Sequence, residues 1–161
     1  MKKLFLLLFL GLSISFAAQQ KSDFWDNVQF GGGFTASFGN QTTIGISPSA
    51  IYNFDNGFAL GAGLGYLYSE INDFTTNVYS TSIIGLYQTN FGFQFSTDFD
   101  YYFANQSTFN GNSVNTNFPA LHFGIAYNQG RFALGIRYDV LYDENKSIFA
   151  SPISPVVRFY F

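Results

Sequence analysis

Cysteine is absent from the 161-residue chain. That excludes disulfides, a lipid-modified cysteine and thiolate metal sites. Charge is scarce as well: Lys, Arg, Asp and Glu make up 11%, against about 25% in an ordinary soluble domain. Seven basic and ten acidic residues leave a net charge of −3 with no basic cluster, which disfavours nucleic-acid binding. With one His and no EF-hand spacing, metal sites are unsupported and no cofactor is expected. After residue 17 no run of about 18 consecutive apolar residues occurs, so no transmembrane helix is expected there. What the chain has in surplus is aromatic: 22 Phe, 11 Tyr and one Trp. Disorder needs the reverse, few aromatics and high net charge. The length fits one domain.

Residues 1–17 read as a cleaved secretory signal. Lys2 and Lys3 form a positive start, 4–12 an apolar stretch, and Ser15-Phe16-Ala17 supplies small residues at the cleavage site. The apolar run is too short to anchor the chain across a bilayer. Removing Lys2 and Lys3 leaves five basic residues against ten acidic ones. Residues 18–27 then form an N-terminal segment in which Phe24 and Trp25 are suited to a membrane interface.

From residue 28 onward apolar and other residues alternate with period two, the mark of half-buried strands. Phe132, Leu134, Ile136, Tyr138, Val140 and Tyr142 share one face; Arg131, Ala133, Gly135, Arg137 and Asp139 share the other. Phe58, Leu60, Ala62, Leu64, Tyr66 and Tyr68 oppose Ala59, Gly61, Gly63 and Gly65. Phe91, Phe93, Phe95, Phe99, Tyr101 and Phe103 oppose Gln94, Ser96, Asp98, Asp100 and Tyr102. Similar alternation covers 28–38, 44–54, 118–128 and 149–161. Residues 78–87 are strand-like with ambiguous phase. These eight segments exceed the usual strand length of about 5–6 residues and reach the ~9–11 that tilted membrane strands need.

The connections differ by side. Those at 55–57, 88–90 and 128–130 are short and mostly Gly/Asn, as hairpin turns require. Those at 70–77, 104–117 and 143–147 are longer and polar, while 39–41 is short. Short turns at one end and long loops at the other are typical of transmembrane barrels. An internal echo supports repeated hairpins: Phe58-Ala59-Leu60-Gly61 recurs as Phe132-Ala133-Leu134-Gly135.

Eight amphipathic strands close either with the apolar face inward, as a soluble ligand-binding barrel, or with it outward to lipid. Aromatics gathered near strand ends and an opposite face rich in Gly, Ala and Ser favour the second. The expected fold is therefore an all-β, eight-stranded antiparallel transmembrane up-and-down β-barrel over 28–161. Ile153, Pro155, Val157, Phe159 and Phe161 alternate to the last residue. That ending resembles the insertion signal of outer-membrane barrels, carried here by Val157, Phe159 and Phe161. The whole mature chain resembles the small eight-stranded outer-membrane proteins of Gram-negative bacteria. Residues 24–33 and 135–143 resemble more narrowly a family whose members sometimes carry the label alpha-ketoglutarate decarboxylase. Such an enzyme needs a large thiamine-diphosphate fold, for which this chain has neither the length nor the motifs. The resemblance implies a bacterial outer-membrane location. It also implies two partners, outer-membrane lipid and the barrel-insertion machinery, and a monomeric, porin-like, non-enzymatic component of the cell envelope. Alternatives are a narrow pore, a soluble periplasmic barrel and a lipid-modifying enzyme.

Five charged residues fall on the inward phase: Asp98, Asp100, Arg137, Asp139 and Arg158. Buried charges must be paired, so a structural network filling the interior is expected in preference to a catalytic carboxylate pair. His122 shares that phase with Ala120, Gly124 and Ala126, and no partners are evident for it. Gly31-Gly32-Gly33 and the Gly61, Gly63, Gly65 series lack the strand–loop–helix context of a phosphate loop. All four prolines fall inside expected strands, where a ladder donor is lost. Pro119 is expected at a strand start, Pro152 and Pro155 near a bulge or strand end, and Pro48 is unexplained.

Overall fold

The computed structural model describes residues 23–37, 42–71, 74–108, 113–144, 146–147, 149 and 151–161. The expected signal at 1–17 and the 39–41 connection lie outside them. A one-turn helix, α1 (Asp23–Asp26), leads into eight strands. They are β1 (Val28–Ser37), β2 (Thr42–Asn53), β3 (Phe58–Ile71), β4 (Phe74–Gln88), β5 (Phe93–Thr108), β6 (Ser113–Gln129), β7 (Phe132–Asp139) and β8 (Ile153–Tyr160). Each pairs antiparallel with the next, and β8 returns to β1, so the sheet is a closed barrel. The fold is all-β, as the period-two pattern requires.

Phase sorts the residues cleanly. On β5, Gln94, Ser96, Asp98, Asp100, Tyr102 and Ala104 are buried inside, while Phe93, Phe95, Phe99, Tyr101 and Phe103 are exposed outside. On β4 the inner face is Thr76, Val78, Ser80, Ser82, Ile84 and Leu86; the outer carries Tyr79, Ile83 and Tyr87. Its phase was unreadable because both faces carry aliphatic residues. The inner ones pack into two small apolar clusters. One holds Ile51, Ala59, Leu86, Ala126, Ala133, Val156 and Tyr160 near the tight turns. The other holds Val78, Tyr102, Ala104, Phe118 and Ala120 toward the far end.

Three tight turns share one end. Gly57 (φ 83°), Gly92 (φ 91°) and Gly130 (φ 68°) take left-handed backbone there, which glycine adopts without penalty. Phe91 belongs to the second of these turns and not to β5, which starts at Phe93. At the opposite end two expected loops are mostly paired strand. Ile71 pairs with Phe74 and Glu70 with Thr75, so strand pairing takes up 70–71 and 74–77 of the expected loop. Pairing of β5 with β6 runs to Ser107 and Ser113, which absorbs most of 104–117. Asn and Ser side chains bridge that extension, with Asn105 Nδ2 donating to Asn115 Oδ1 at 2.7 Å. Conversely, β7 stops at Asp139 and β8 begins at Ile153, so 140–152 is the longest connection between strands.

The prolines follow the ladder. In an antiparallel strand alternate residues bond to opposite neighbours. Asn53 N–H donates to Asn27 on the β1 side, so even-numbered Pro48 faces β3. The β2–β3 ladder is interrupted there: Ile46 pairs with Tyr66 and Ser49 with Gly63, with register unchanged across the gap. Pro119 lies inside β6, not at its start. Val140 N–H donates to Leu121 C=O, so odd positions of β6 face β7. At Pro119 β7 has already ended, because its last pair is His122 with Asp139. Pro152 immediately precedes β8, and Pro155 lies within it.

Candidate functional site

The barrel interior carries a layer of charge at mid-height. β5 presents Asp98 and Asp100 inward, two residues apart on one face. Register sets Ser82 of β4 beside Asp100, His122 of β6 beside Asp98, and Asp139 of β7 beside His122. Arg158 reaches across the lumen from β8, its Nη2 donating to Asp98 Oδ2 at 2.6 Å. Both side chains of this pair are over nine-tenths buried.

Asp100 is a hub. Its carboxylate accepts from Ser82 Oγ, from Tyr102 Oη at 3.1 Å and from Arg137 Nη1 at 3.4 Å. His122 Nδ1 lies 3.1 Å from the same carboxylate but is not aligned as a hydrogen bond. Arg137 also donates from Nε to Ser154 Oγ at 3.2 Å. Asp139 stands apart from both arginines: its Oδ1 accepts from the backbone N–H of Leu121 and of Leu141, at 3.1 and 3.0 Å. It thereby ties the end of β7 to β6.

The five inward charges named from the sequence thus lie on the inner face, four of them in two ion pairs. The reading of His122 as partnerless is corrected, since it packs against the Asp100 carboxylate. Ser82 and Tyr102 belong to the same cluster and were not singled out. Tyr102 was legible as an inward residue, whereas Ser82 sits on the strand whose phase was ambiguous.

A Ser–His–Asp nucleophile places the imidazole between hydroxyl and carboxylate. Here the carboxylate is central, and the serine donates to it directly. The arrangement satisfies a buried charge; it does not relay a proton from Ser82. Among the described residues no group of three or more His, Cys, Asp or Glu side chains is arranged to hold a metal ion.

Two cavities flank this region. The larger, about 690 Å³, lies on the far side, with Asp98, Asp100, His122, Arg137 and Arg158 in its wall. A smaller one of about 160 Å³ lies toward the tight turns, beside Gln29, Gln88, Gln94 and Asn128. Between them sit the turn-side apolar cluster and Tyr160, whose Oη donates to Gln94 Oε1 at 2.8 Å.

Outside, aromatic pairs form two belts. Phe58–Tyr87, Phe93–Tyr127 and Phe132–Phe159 lie near the tight turns, with ring centroids 4.6, 5.7 and 5.3 Å apart. Tyr66–Tyr79 and Tyr101–Phe103 lie nearer the other end, at 5.2 and 5.0 Å. The band between is apolar and exposed, with Leu64, Ile83, Leu134 and Ile136 standing beside Phe95, Phe99 and Phe123. Phe159 and Phe161 also point outward, and Val157 shares their phase. No protein-family model and no curated protein matches this chain.

Proposed function

We propose that this chain is an integral outer-membrane β-barrel, exported by a signal at 1–17. It crosses the bilayer as a monomeric, non-enzymatic scaffold that displays its longer connections for envelope integrity or surface contact. The observation that carries this reading is the sidedness of the barrel. Ion pairs, amides and hydroxyls fill the inside, while the outside is a continuous apolar band between aromatic belts. Soluble monomers rarely expose apolar patches beyond a few hundred Å². Phe58 and Tyr66 are eight residues apart on β3; at ~3.4 Å per residue and ~40° tilt, the belts are about 21 Å apart, close to the ~25 Å band of outer-membrane barrels. The Asp100 hub supports a structural role for the buried charges. The apolar layer between the two cavities counts against a water-filled pore.

Membrane fractionation with gel mobility tests this. The mature protein should resist salt extraction, dissolve in detergent, and migrate faster unheated than boiled. Release by salt alone refutes the membrane assignment and favours a soluble periplasmic barrel. Altered lipid A in a deletion strain would favour the enzyme alternative.

A further inference from the structure

The barrel is closed unevenly. Six neighbouring strand pairs make eight to fifteen cross-strand pairings and β7 with β8 makes seven, but β1 with β8 makes three, from Gly31–Tyr160 to Gly33–Arg158. Continued in register, the next pairings would be Phe34 with Val157, Thr35 with Val156 and Ala36 with Pro155. None of these forms, although β1 runs on to Ser37 and β8 starts at Ile153. The cause is partly in the sequence. Phe161 N–H donates to Phe30 C=O on the β1 side, whereas Tyr160 N–H donates to Arg131 C=O on the β7 side. Odd positions of β8 therefore face β1, and Pro155 stands where a donor to Ala36 is needed and has none.

The larger cavity meets this gap. Its wall includes Phe34, Pro155 and Val157, which belong to the outward phase, together with the buried charges of the inner layer. It therefore runs from the polar mid-layer to the outer surface through the side of the barrel. In that layer Arg158 Nη1 and Asp98 Oδ1 are buried without a hydrogen-bond partner, each on a side chain more than nine-tenths buried. Such groups are costly when left unpaired.

We propose that this cavity binds a single-chain neutral amphiphile, an alkyl alcohol or alkyl amide, that enters sideways between β1 and β8. The inference rests on the membrane reading above, because the gap then opens onto lipid. A hydroxyl or amide head supplies an acceptor for Arg158 and a donor for Asp98. Asp98 and Asp100 are already matched by Arg158 and Arg137, and Asp139 is held by the backbone N–H groups of Leu121 and Leu141, so a charged head beside Arg158 and Asp98 would find no free countercharge there. The alkyl chain passes out beside Phe34, Pro155 and Val157. A volume near 690 Å³ lies within the ~300–1,000 Å³ range of small-molecule sites.

The test uses the full mature chain in phosphatidylcholine vesicles, since detergent would compete. The probe is a decanol carrying a photoreactive diazirine, and labelled residues are read by mass spectrometry. Labelling is expected on the inner wall and at Phe34 and Val157. Excess decanol should remove it, and decyl sulfate or decyltrimethylammonium should not. Joining Phe34→Cys to Val157→Cys with a short bis-maleimide should abolish the inner labelling, while the same variant left unjoined retains it. Gel mobility checks that both forms are folded barrels. Labelling confined to the outer aromatic belts, competed equally by charged amphiphiles, overturns the site while leaving the membrane reading intact. Inner labelling that survives the joined seam overturns sideways entry. A chain that fails to insert into vesicles overturns both.

Discussion

Ile83→Arg separates a lipid-facing wall from a water-facing one. Ile83 is 60% exposed on the outer face of β4, with Ala62 and Phe99 as its cross-strand neighbours. Tyr87 and Tyr79, one in each aromatic belt, stand four residues away on either side. At ~3.4 Å per residue and ~40° tilt, Ile83 is about 10 Å from either belt and at the middle of the apolar band. An arginine there reaches neither interface without distorting the chain or the lipid. The expected cost is about 2–4 kcal/mol for a midplane site. If the same face met water, this would be an ordinary surface substitution, within about 0.5 kcal/mol of neutral.

Urea unfolding in lipid vesicles, followed by gel mobility, measures the difference. With a slope of roughly 2 kcal/mol per molar, the midpoint should fall by about 1–2 M. Two controls fix the interpretation. Ile83→Ala reports the loss of side-chain bulk alone. Thr75→Arg, on the outward phase of β4 and paired with Glu70 near the end of the β3–β4 hairpin, should cost no more than about 1 kcal/mol because depth is what sets the penalty. An Ile83→Arg midpoint indistinguishable from wild type, with Thr75→Arg equally silent, would refute the lipid-facing assignment.

Arg158→Met should cost about 3–5 kcal/mol by stranding Asp98, whereas Lys146→Met, removing an exposed pair with Asp143, should cost about 0–1 kcal/mol; the same unfolding midpoints check both, and Asp98→Leu added to Arg158→Met should recover most of the loss. Gly135→Ala places a methyl against the Ile125 carbonyl and Ala126 on the inner wall, so a loss of about 1–3 kcal/mol is expected. Gly85→Ala, with only the Thr97 carbonyl at 3.6 Å, should be neutral or stabilising by up to about 1 kcal/mol in the same assay. Trypsin added to intact cells should cut after Lys146 in the 140–152 connection and spare Arg131 at the tight-turn end; cleavage in the reverse order would invert the orientation.

How far the sequence could be read depended on whether a feature was local. The faces of β3, β5 and β7 were legible because period two puts aliphatic and aromatic residues on one side and small or charged ones on the other. β4 failed that test because Val78, Ile84 and Leu86 serve interior apolar clusters while Tyr79, Ile83 and Tyr87 coat the outside. Asp98, Asp100, Arg137 and Arg158 were legible as inward, but their pairing was not. Arg158 meets Asp98 across the lumen from a strand that is not its neighbour, and that meeting is set by barrel closure and shear. Polarity misled at 70–77 and 104–117, where Asn, Ser and Thr continue the ladder. The prolines make the point most sharply. Sequence alone leaves Pro48 unexplained, and it puts Pro119 at a strand start and Pro155 near a bulge or strand end. Ladder phase sends the first toward an interruption in β2–β3 pairing, the second past the end of β7, and the third into the β1–β8 seam. A lost donor has no consequence of its own until its neighbour is known. The same residue type is therefore tolerated at two of these positions and, at the third, helps hold the barrel wall open.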